Sequence, residues 1–412
     1  MKTSFSLTLL GVALVASLTM CTNTTSQPLT VWTSEPQIAD YFDWYNANVD
    51  GSPVEVLPVE PGSAYQRLRR GERSPDLIID RHMLKADAPT RYASLNEVIE
   101  NRRNDFYGPL LAAGRADDTF HLVPLSFDVP AVMFAEAWDP PQDERRLIDL
   151  GELREAAGAF NETADGRPVR MGYSPIWQES FALATVNAFG SRFRRGPDIM
   201  PLWSQDAVEQ AVSFMRTWST ETNAGPASER DFQRRYLVAP GNRSVQEGRT
   251  GFWYTTAAEF FSMPEQEIAT LDVRWLTREG ILDVNDYIRW AAIPADSDRV
   301  DSARALLRWL LSDQTQLQLI ERSFEHRESA FGFAGGFSSI QYVNERYLSE
   351  THPELTGRVP GESQLRRPVV EHPLWPSLGH EVIVPWLRES VQDEQSIPLA
   401  ERIRNWLMQQ EF

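Results

Sequence analysis

The chain has 412 residues, 42% hydrophobic and 24% charged, with 58 acidic against 40 basic side chains and a formal net charge of −18. That length exceeds one small core and asks for two or three domains. An acidic chain without a dense basic patch repels nucleic acid, which excludes a nucleic-acid partner, and one cysteine excludes an intramolecular disulfide framework.

The first element is a leader. Lys2 precedes an uncharged, apolar or small-residue stretch from Phe5 to Met20, of signal-peptide length and short for a membrane span. It ends at the lone Cys21. The pattern resembles a bacterial lipoprotein signal, in which the cysteine becomes the lipidated first residue. That resemblance implies a signal peptide over 1–20, a lipid anchor at Cys21 and a polar tether over 21–28. Met20 stands where that pattern has a small residue, which leaves an ordinary cleaved signal or an uncleaved anchor as the alternatives. After Cys21 no apolar stretch is long enough to cross a bilayer.

The folded part opens with a strand at Leu29–Thr33, rich in β-branched and aromatic residues. Ile38, Tyr41, Phe42 and Tyr45 then share one helical face. A strand over Val54–Val59, a polar helix around Tyr65–Arg70 and a short strand at Leu77–Ile79 follow. This alternation without hairpins predicts an α/β fold with a mostly parallel sheet. "FHLVPLSFDVPAVMFAEAW" holds two apolar runs split by "SFDVP". "SQDAVEQAVSFMRTWS" reads as a helix capped by Asp206 with Glu209 three residues on, burying Val208, Ala211, Val212 and Met215. "DYIRWAAIP" reads as a buried strand. "VDSARALLRWLLSDQTQLQLI" reads as one long helix capped by Asp301, with Ala303, Leu306, Leu307, Leu310 and Leu317 on a common side. A last helix after Pro398 turns Leu399, Ile403, Trp406 and Leu407 inward.

The catalytic signatures are missing. There is no G-x-S-x-G, and the only thiol belongs to the leader. The six histidines form no H-x-x-x-H pair, so no metal is expected. "FGFAGGF" lacks the spacing of a dinucleotide fingerprint, and no cofactor is expected. Acidic residues are so frequent that paired carboxylates carry no signal. The aromatics carry more. Trp32, Trp177, Trp253 and Trp375 fall at expected strand ends or loops, where open α/β sheets bind ligands. Sugar rings offer flat C–H faces for such side chains and hydroxyl rims for charged ones.

Taken together, "LTVWTSEP", "SPDLIID", "LVPLSFDVPAVMF", "QEGRTGFWYTT" and "IRWAAIPADSDRVDSARALLRWLLSDQTQ" resemble the extracellular solute-binding proteins of ABC importers, in the sugar-type branch (family 1). The resemblance runs from Leu29 to the C-terminus. It implies a two-lobed, periplasmic-binding-protein-like fold of type II with crossing hinge strands. Lobe one would be 29–128 plus 290–328, and lobe two 129–289 plus 329–412. The implied ligand contacts are Thr33, Ser34 and Glu35 after the first strand, Asp80 and Arg81 after the third, and Phe127 and Asp128 at the first crossing. Trp177, Trp253, Tyr254 and Trp375 complete them. The implied protein is not an enzyme. It is an exported, membrane-anchored monomer that faces the periplasm or cell exterior and hands a small solute, a carbohydrate first of all, to ABC permease membrane subunits. The chain departs from the pattern at Pro130, at Met133, Phe134 and Ala135, and at the glycine-rich "GFAGGFSS", where a third crossing is expected. Two alternatives stand beside this reading: a secreted carbohydrate-active enzyme using Glu35 and Asp128, and a ligand-sensing subunit for a membrane kinase.

Overall fold

The computed structural model describes residues 27–83, 87–138, 146–196, 199–326, 330–369, 372, 374–392 and 396–409. Cys21 and the leader lie outside the described residues. No described helix is long and apolar enough to cross a membrane.

In chain order the strands are β1 Leu29–Thr33, β2 Val54–Pro58, β3 Leu77–Asp80, β4 Arg115–Ala116, β5 Thr119–Phe120, β6 Val123–Phe127, β7 Pro130–Ala135, β8 Leu147–Asp149, β9 Glu162–Ala164, β10 Arg167–Arg170, β11 Phe252–Thr256, β12 Leu271–Thr277, β13 Ile288–Ala292 and β14 Phe337–Ser338. Six of them form one sheet in the order β14-β6-β13-β3-β1-β2, and four form a second in the order β11-β7-β12-β8. β4–β5 and β9–β10 are separate antiparallel pairs. The result is a two-lobed α/β fold with one main sheet per lobe.

The chain passes between the sheets in very few residues. β6 ends at Phe127 and β7 begins at Pro130. Pro130 sits at the first residue of its strand, opposite Thr256 at the end of β11, where the missing N–H is tolerated. The return path runs from Thr277, the end of β12, to Ile288, the start of β13. The two paths touch, since the Asp128 N–H donates to the Tyr287 carbonyl at 3.1 Å.

The first sheet is mixed, not mostly parallel. β1 pairs in parallel with β2 and β3, but β13 runs antiparallel to both β3 and β6. A strand that returns from the other lobe enters at the end where β6 left. It therefore has to run backwards.

The expected lobe boundaries shift for the same reason. β13 begins at Ile288 rather than at residue 290. The start of the 329–412 segment does not join the second sheet either, because β14 pairs with β6, Phe337 opposite Phe127. The glycine-rich run is a tight turn rather than a crossing. Phe333 and Gly336 exchange backbone hydrogen bonds at 2.9 and 3.2 Å, and Gly332 and Gly335 take φ of +61° and +70°. Those angles cost a residue without Cβ little.

Three apolar clusters hold the fold. One fills the first lobe between β1, β3, β6 and the helices at 36–48 and 300–325. Another fills the second lobe and includes Trp177, Trp218, Trp375 and the C-terminal Leu399, Ile403 and Leu407. A third runs from Trp32 and Trp290 to Met133 and Trp275, so it is continuous across the junction.

Helix ends differ from the sequence reading in two places. Ser204, not Asp206, caps Gln205–Thr217, its hydroxyl accepting the Ala207 N–H at 3.3 Å. Asp206 lies in the first turn, where a carboxylate still favours the helix dipole. The long helix is two, Val300–Leu310 and Asp313–Glu325, parted at Ser312 in extended conformation. Asp301 is inside the first turn, with Arg299 at the cap position.

Candidate functional site

The carboxyl ends of β1 and β3 and the start of β13 meet beside the first crossing. Ser34 and Glu35 follow β1 directly, and Glu35 occupies the cap position of the helix Pro36–Asn48 without capping it by its side chain. Its carboxylate is turned aside by two arginines. Glu35 Oε1 accepts the Arg81 Nε–H at 2.8 Å and lies 3.3 Å from Arg289 Nε. Burial raises the Glu35 pKa, but Arg289 and Arg81 outweigh it and hold the carboxyl below its usual range.

Arg289 is itself buried, paired with Ser126 across the sheet and donating to the Tyr287 carbonyl at 3.3 Å. Burial lowers its pKa, and Glu35 and Asp128 pull it back. Two close glycines seat the guanidinium. A Cβ on Gly335 would lie 3.0 Å from Arg289 Nη2, and one on Gly336 would lie 2.4 Å from the Phe127 carbonyl oxygen.

Asp80, at the end of β3, is consumed by structure. It accepts from Ser34 Oγ at 2.9 Å, from the Gly62 N–H at 3.0 Å and from the Arg81 N–H at 2.7 Å. Burial pushes its pKa up against those bonds. Thr33 is buried and accepts the Glu35 N–H at 3.1 Å. Thr256 caps the short helix Ala257–Phe261, and Asp128 adds a second acceptor at its first turn, taking the Ala258 N–H at 2.9 Å as well as that of Val129 at 2.8 Å. Burial raises its pKa while Arg289 opposes. Of the charged groups here, Arg81 is the one that reaches solvent, with its side chain 37% exposed.

On the second lobe Tyr254 is buried, its hydroxyl 2.8 Å from that of Tyr287, and burial raises both pKa values. Gln178 pins it by accepting the Tyr254 N–H at 3.0 Å and donating to the Tyr254 carbonyl at 2.9 Å. The structure thus brings Thr33, Ser34, Glu35, Asp80, Arg81 and Asp128 into one hydrogen-bonded and charge-paired knot, joined through Arg289 and Tyr287 to Tyr254. Neither Arg289 nor Tyr287 was singled out from the sequence. The available signal was a lone arginine inside the apolar run "IRWAAI".

The aromatic residues read as ligand contacts are mostly spent on packing. Phe127 is fully buried between Tyr107 and Phe337, with centroids at 5.1 and 5.6 Å, and has no face for a ligand. Trp375 stacks on Phe193 at 5.4 Å and donates Nε1–H to Asp286 at 3.1 Å. Trp177 is stacked on Phe232 at 5.7 Å and faces Trp253 at 6.3 Å. Trp32 lies under the Arg67 guanidinium at 4.2 Å. Trp253 is half-buried over Gly241, where a Cβ would come within 2.2 Å of the indole, and is the most accessible of the four tryptophans.

Among the described residues no group of His, Cys, Asp and Glu is arranged to hold a metal ion. The knot therefore presents one accessible guanidinium, Arg81, backed by buried and already partnered carboxylates.

No family model matches the chain, and no curated protein does. Solved structures do match. A mannotriose-bound CpMnBP1 aligns with TM-score 0.65 and 12% identity over 92% of this chain and 98% of that one. The cyclic alpha-maltosyl-1,6-maltose binding protein from Arthrobacter globiformis gives 0.63 and 14% over 92% and 96%. An ABC substrate-binding protein from Listeria monocytogenes in complex with cycloalternan gives 0.63 and 12% over 92% and 96%. At these identities the likeness establishes the fold: the chain has the two-lobed architecture of these binding proteins over nearly its whole length.

Proposed function

We propose that the protein is the substrate-binding component of an ABC importer, capturing a carbohydrate between its lobes and delivering it unchanged to a membrane permease. The observation that carries this is the Glu35–Arg81–Arg289 knot at the point where both inter-lobe paths converge, in a fold shared with two sugar-bound proteins and a third described as sugar-binding. Arg81 would take ligand hydroxyls with its terminal nitrogens, since its Nε is committed to Glu35. Ser34 and Glu35 would lie beside it on the first lobe. Trp253 would supply an apolar face from the second, and Tyr254 would act by holding the Tyr287 path in place. Asp80 and Asp128 are positioning residues in this reading.

Closure follows from differential affinity. A ligand held on one lobe gains contacts to the other only when the lobes approach; hinge closure in periplasmic binding proteins is a standard example of such motion. Moving from mostly open to mostly closed takes about 5 kcal/mol of extra binding, which a few charge-assisted hydrogen bonds and one stacked ring supply. Glu35, held ionised by two guanidiniums, is not the proton donor that glycoside cleavage needs, and Asp128 spends one carboxylate oxygen on the Val129 and Ala258 N–H groups. Export, a monomeric state and a lipid on Cys21 complete the reading. The lipid would keep the chain near its permease and raise the local concentration.

Isothermal titration of the full chain with manno-, malto- and cyclic oligosaccharides tests the assignment. Saturable binding without hydrolysis products, lost in Arg81→Ala, supports it. Turnover of any of these sugars, or binding only to non-carbohydrate solutes, overturns it.

A further inference from the structure

A crevice opens between the lobes and shares no wall residue with the Glu35–Arg81–Arg289 knot. It is an open crevice of about 650 Å³, walled by Asp87, Ala112 and Arg115 from the first lobe and by Arg194, Arg195 and Arg367 from the segments that pack on the second. Four guanidiniums from three separate stretches of chain therefore face one space, in a protein whose formal net charge is −18.

Their compensation is incomplete. Arg115 pairs with Asp118. Arg195 spans the crevice and donates to Asp87 Oδ1 at 2.6 Å, using the one carboxylate in the wall. Among the described residues the Arg367 guanidinium reaches the Ala112 carbonyl, at 3.4 Å, and no carboxylate. Arg194 is exposed, and among the described residues its guanidinium has no partner, although its backbone pairs with Leu202. Gathering like charges costs free energy unless a counter-charge joins them. Planar guanidinium forks match the oxygens of a tetrahedral oxyanion in pairs.

We propose that this crevice is a binding site for a polyvalent oxyanion of the phosphate type, held by Arg194 and Arg367 and flanked by Arg115 and Arg195. The site is independent of the sugar-binding reading. Its ligand is recognised by a phosphoryl group, whether that group belongs to a soluble compound or to a lipid headgroup at the membrane surface.

The test is calorimetric titration of the full chain with inorganic pyrophosphate at constant ionic strength, repeated with an Arg194→Ala/Arg367→Ala variant. Saturable one-to-one binding, weakened at least ten-fold in the variant, is expected. The variant should melt at the wild-type temperature, because both side chains are exposed. No saturable heat, or equal affinity in the variant, overturns the proposal. Co-sedimentation with phosphatidylcholine vesicles with and without phosphatidylglycerol separates the sources. Binding to the anionic vesicles that pyrophosphate competes away identifies a lipid phosphate. Pyrophosphate binding without co-sedimentation identifies a soluble one.

Discussion

Arg289 Nε stands 3.3 Å from the Glu35 Oε1 that also accepts the Arg81 Nε–H at 2.8 Å, so one carboxylate oxygen serves two guanidiniums. One of those cations is buried and the other faces solvent, and the carboxylate relays the constraint of the first to the second. Glu35 thereby fixes where the exposed arginine points.

Removing the buried cation should be costly. Arg289→Leu leaves the buried Glu35 with Arg81 as its single cation and withdraws the counter-charge of Asp128. Breaking a buried pair in this way costs about 3–5 kcal/mol. A urea titration should show the midpoint falling accordingly. A loss below about 1 kcal/mol, the range of solvated pairs, would contradict the burial argument.

Two carboxyls should impose opposite pH dependences. Glu35 titrates below its ordinary value of 4.5 in the folded chain, so its contribution is present above that value and fades as pH falls through the lowered one. Asp128 titrates above its ordinary 3.8, so its contribution is full below that value and fades as pH rises through the raised one. Glu35→Gln should flatten the acid limb of stability. Asp128→Asn should gain on the wild type as pH rises, because an amide oxygen still accepts the Ala258 N–H. Unfolding followed from below 3.8 up to neutral pH compares the two variants. Parallel shifts in the two variants would refute the assignment.

Gly336 offers a steric test. A Cβ there would meet the Phe127 carbonyl at 2.4 Å, so Gly336→Ala has to separate β14 from β6. Overpacking of this kind costs about 1–3 kcal/mol. Gly357→Ala is the control, with φ of +74° and nothing within 4 Å of the added carbon. It should cost only the left-handed strain, about 1 kcal/mol. Equal losses in the two variants would show that contact with Phe127 is not what restricts Gly336.

The tryptophans divide by role. Trp375→Phe loses the bond to Asp286 and should lower stability by about 0.5–1.5 kcal/mol while leaving sugar affinity within two-fold. Trp177→Phe removes an indole N–H that is buried without a partner, so its loss should be smaller than that area alone implies. Trp253→Ala should weaken sugar binding instead. A Trp375→Phe protein with normal stability and lost affinity would reverse this division.

Much of the architecture was legible because the elements are short and well marked. Leu29–Thr33 and Leu77–Asp80 are apolar runs bounded by polar turns, and both became parallel neighbours. The double run around Asp128 read correctly as a passage, since it spans β6 and β7 in different sheets. Other features were hidden by continuity. Leu310, Leu311 and Ser312 preserve the apolar period, so only the extended backbone at Ser312 reveals two helices. Arg289 disappeared inside an apolar strand because its partner is distant in sequence and periodicity sees only neighbours. The tryptophans were ambiguous for a related reason. An indole at a strand end has the same local sequence whether it meets a sugar or Phe193.

The backbone bond from Asp128 to Tyr287 has a mechanical corollary. Two connecting ribbons stitched to each other at one rung cannot shear past one another freely. Any relative rotation of the halves must pivot near that stitch, with torsion shared between Asp128–Val129 and the stretch ahead of Ile288. If the lobes close on a ligand as proposed, that rung would set the axis, and the twist would fall on a handful of dihedral angles rather than on the whole frame.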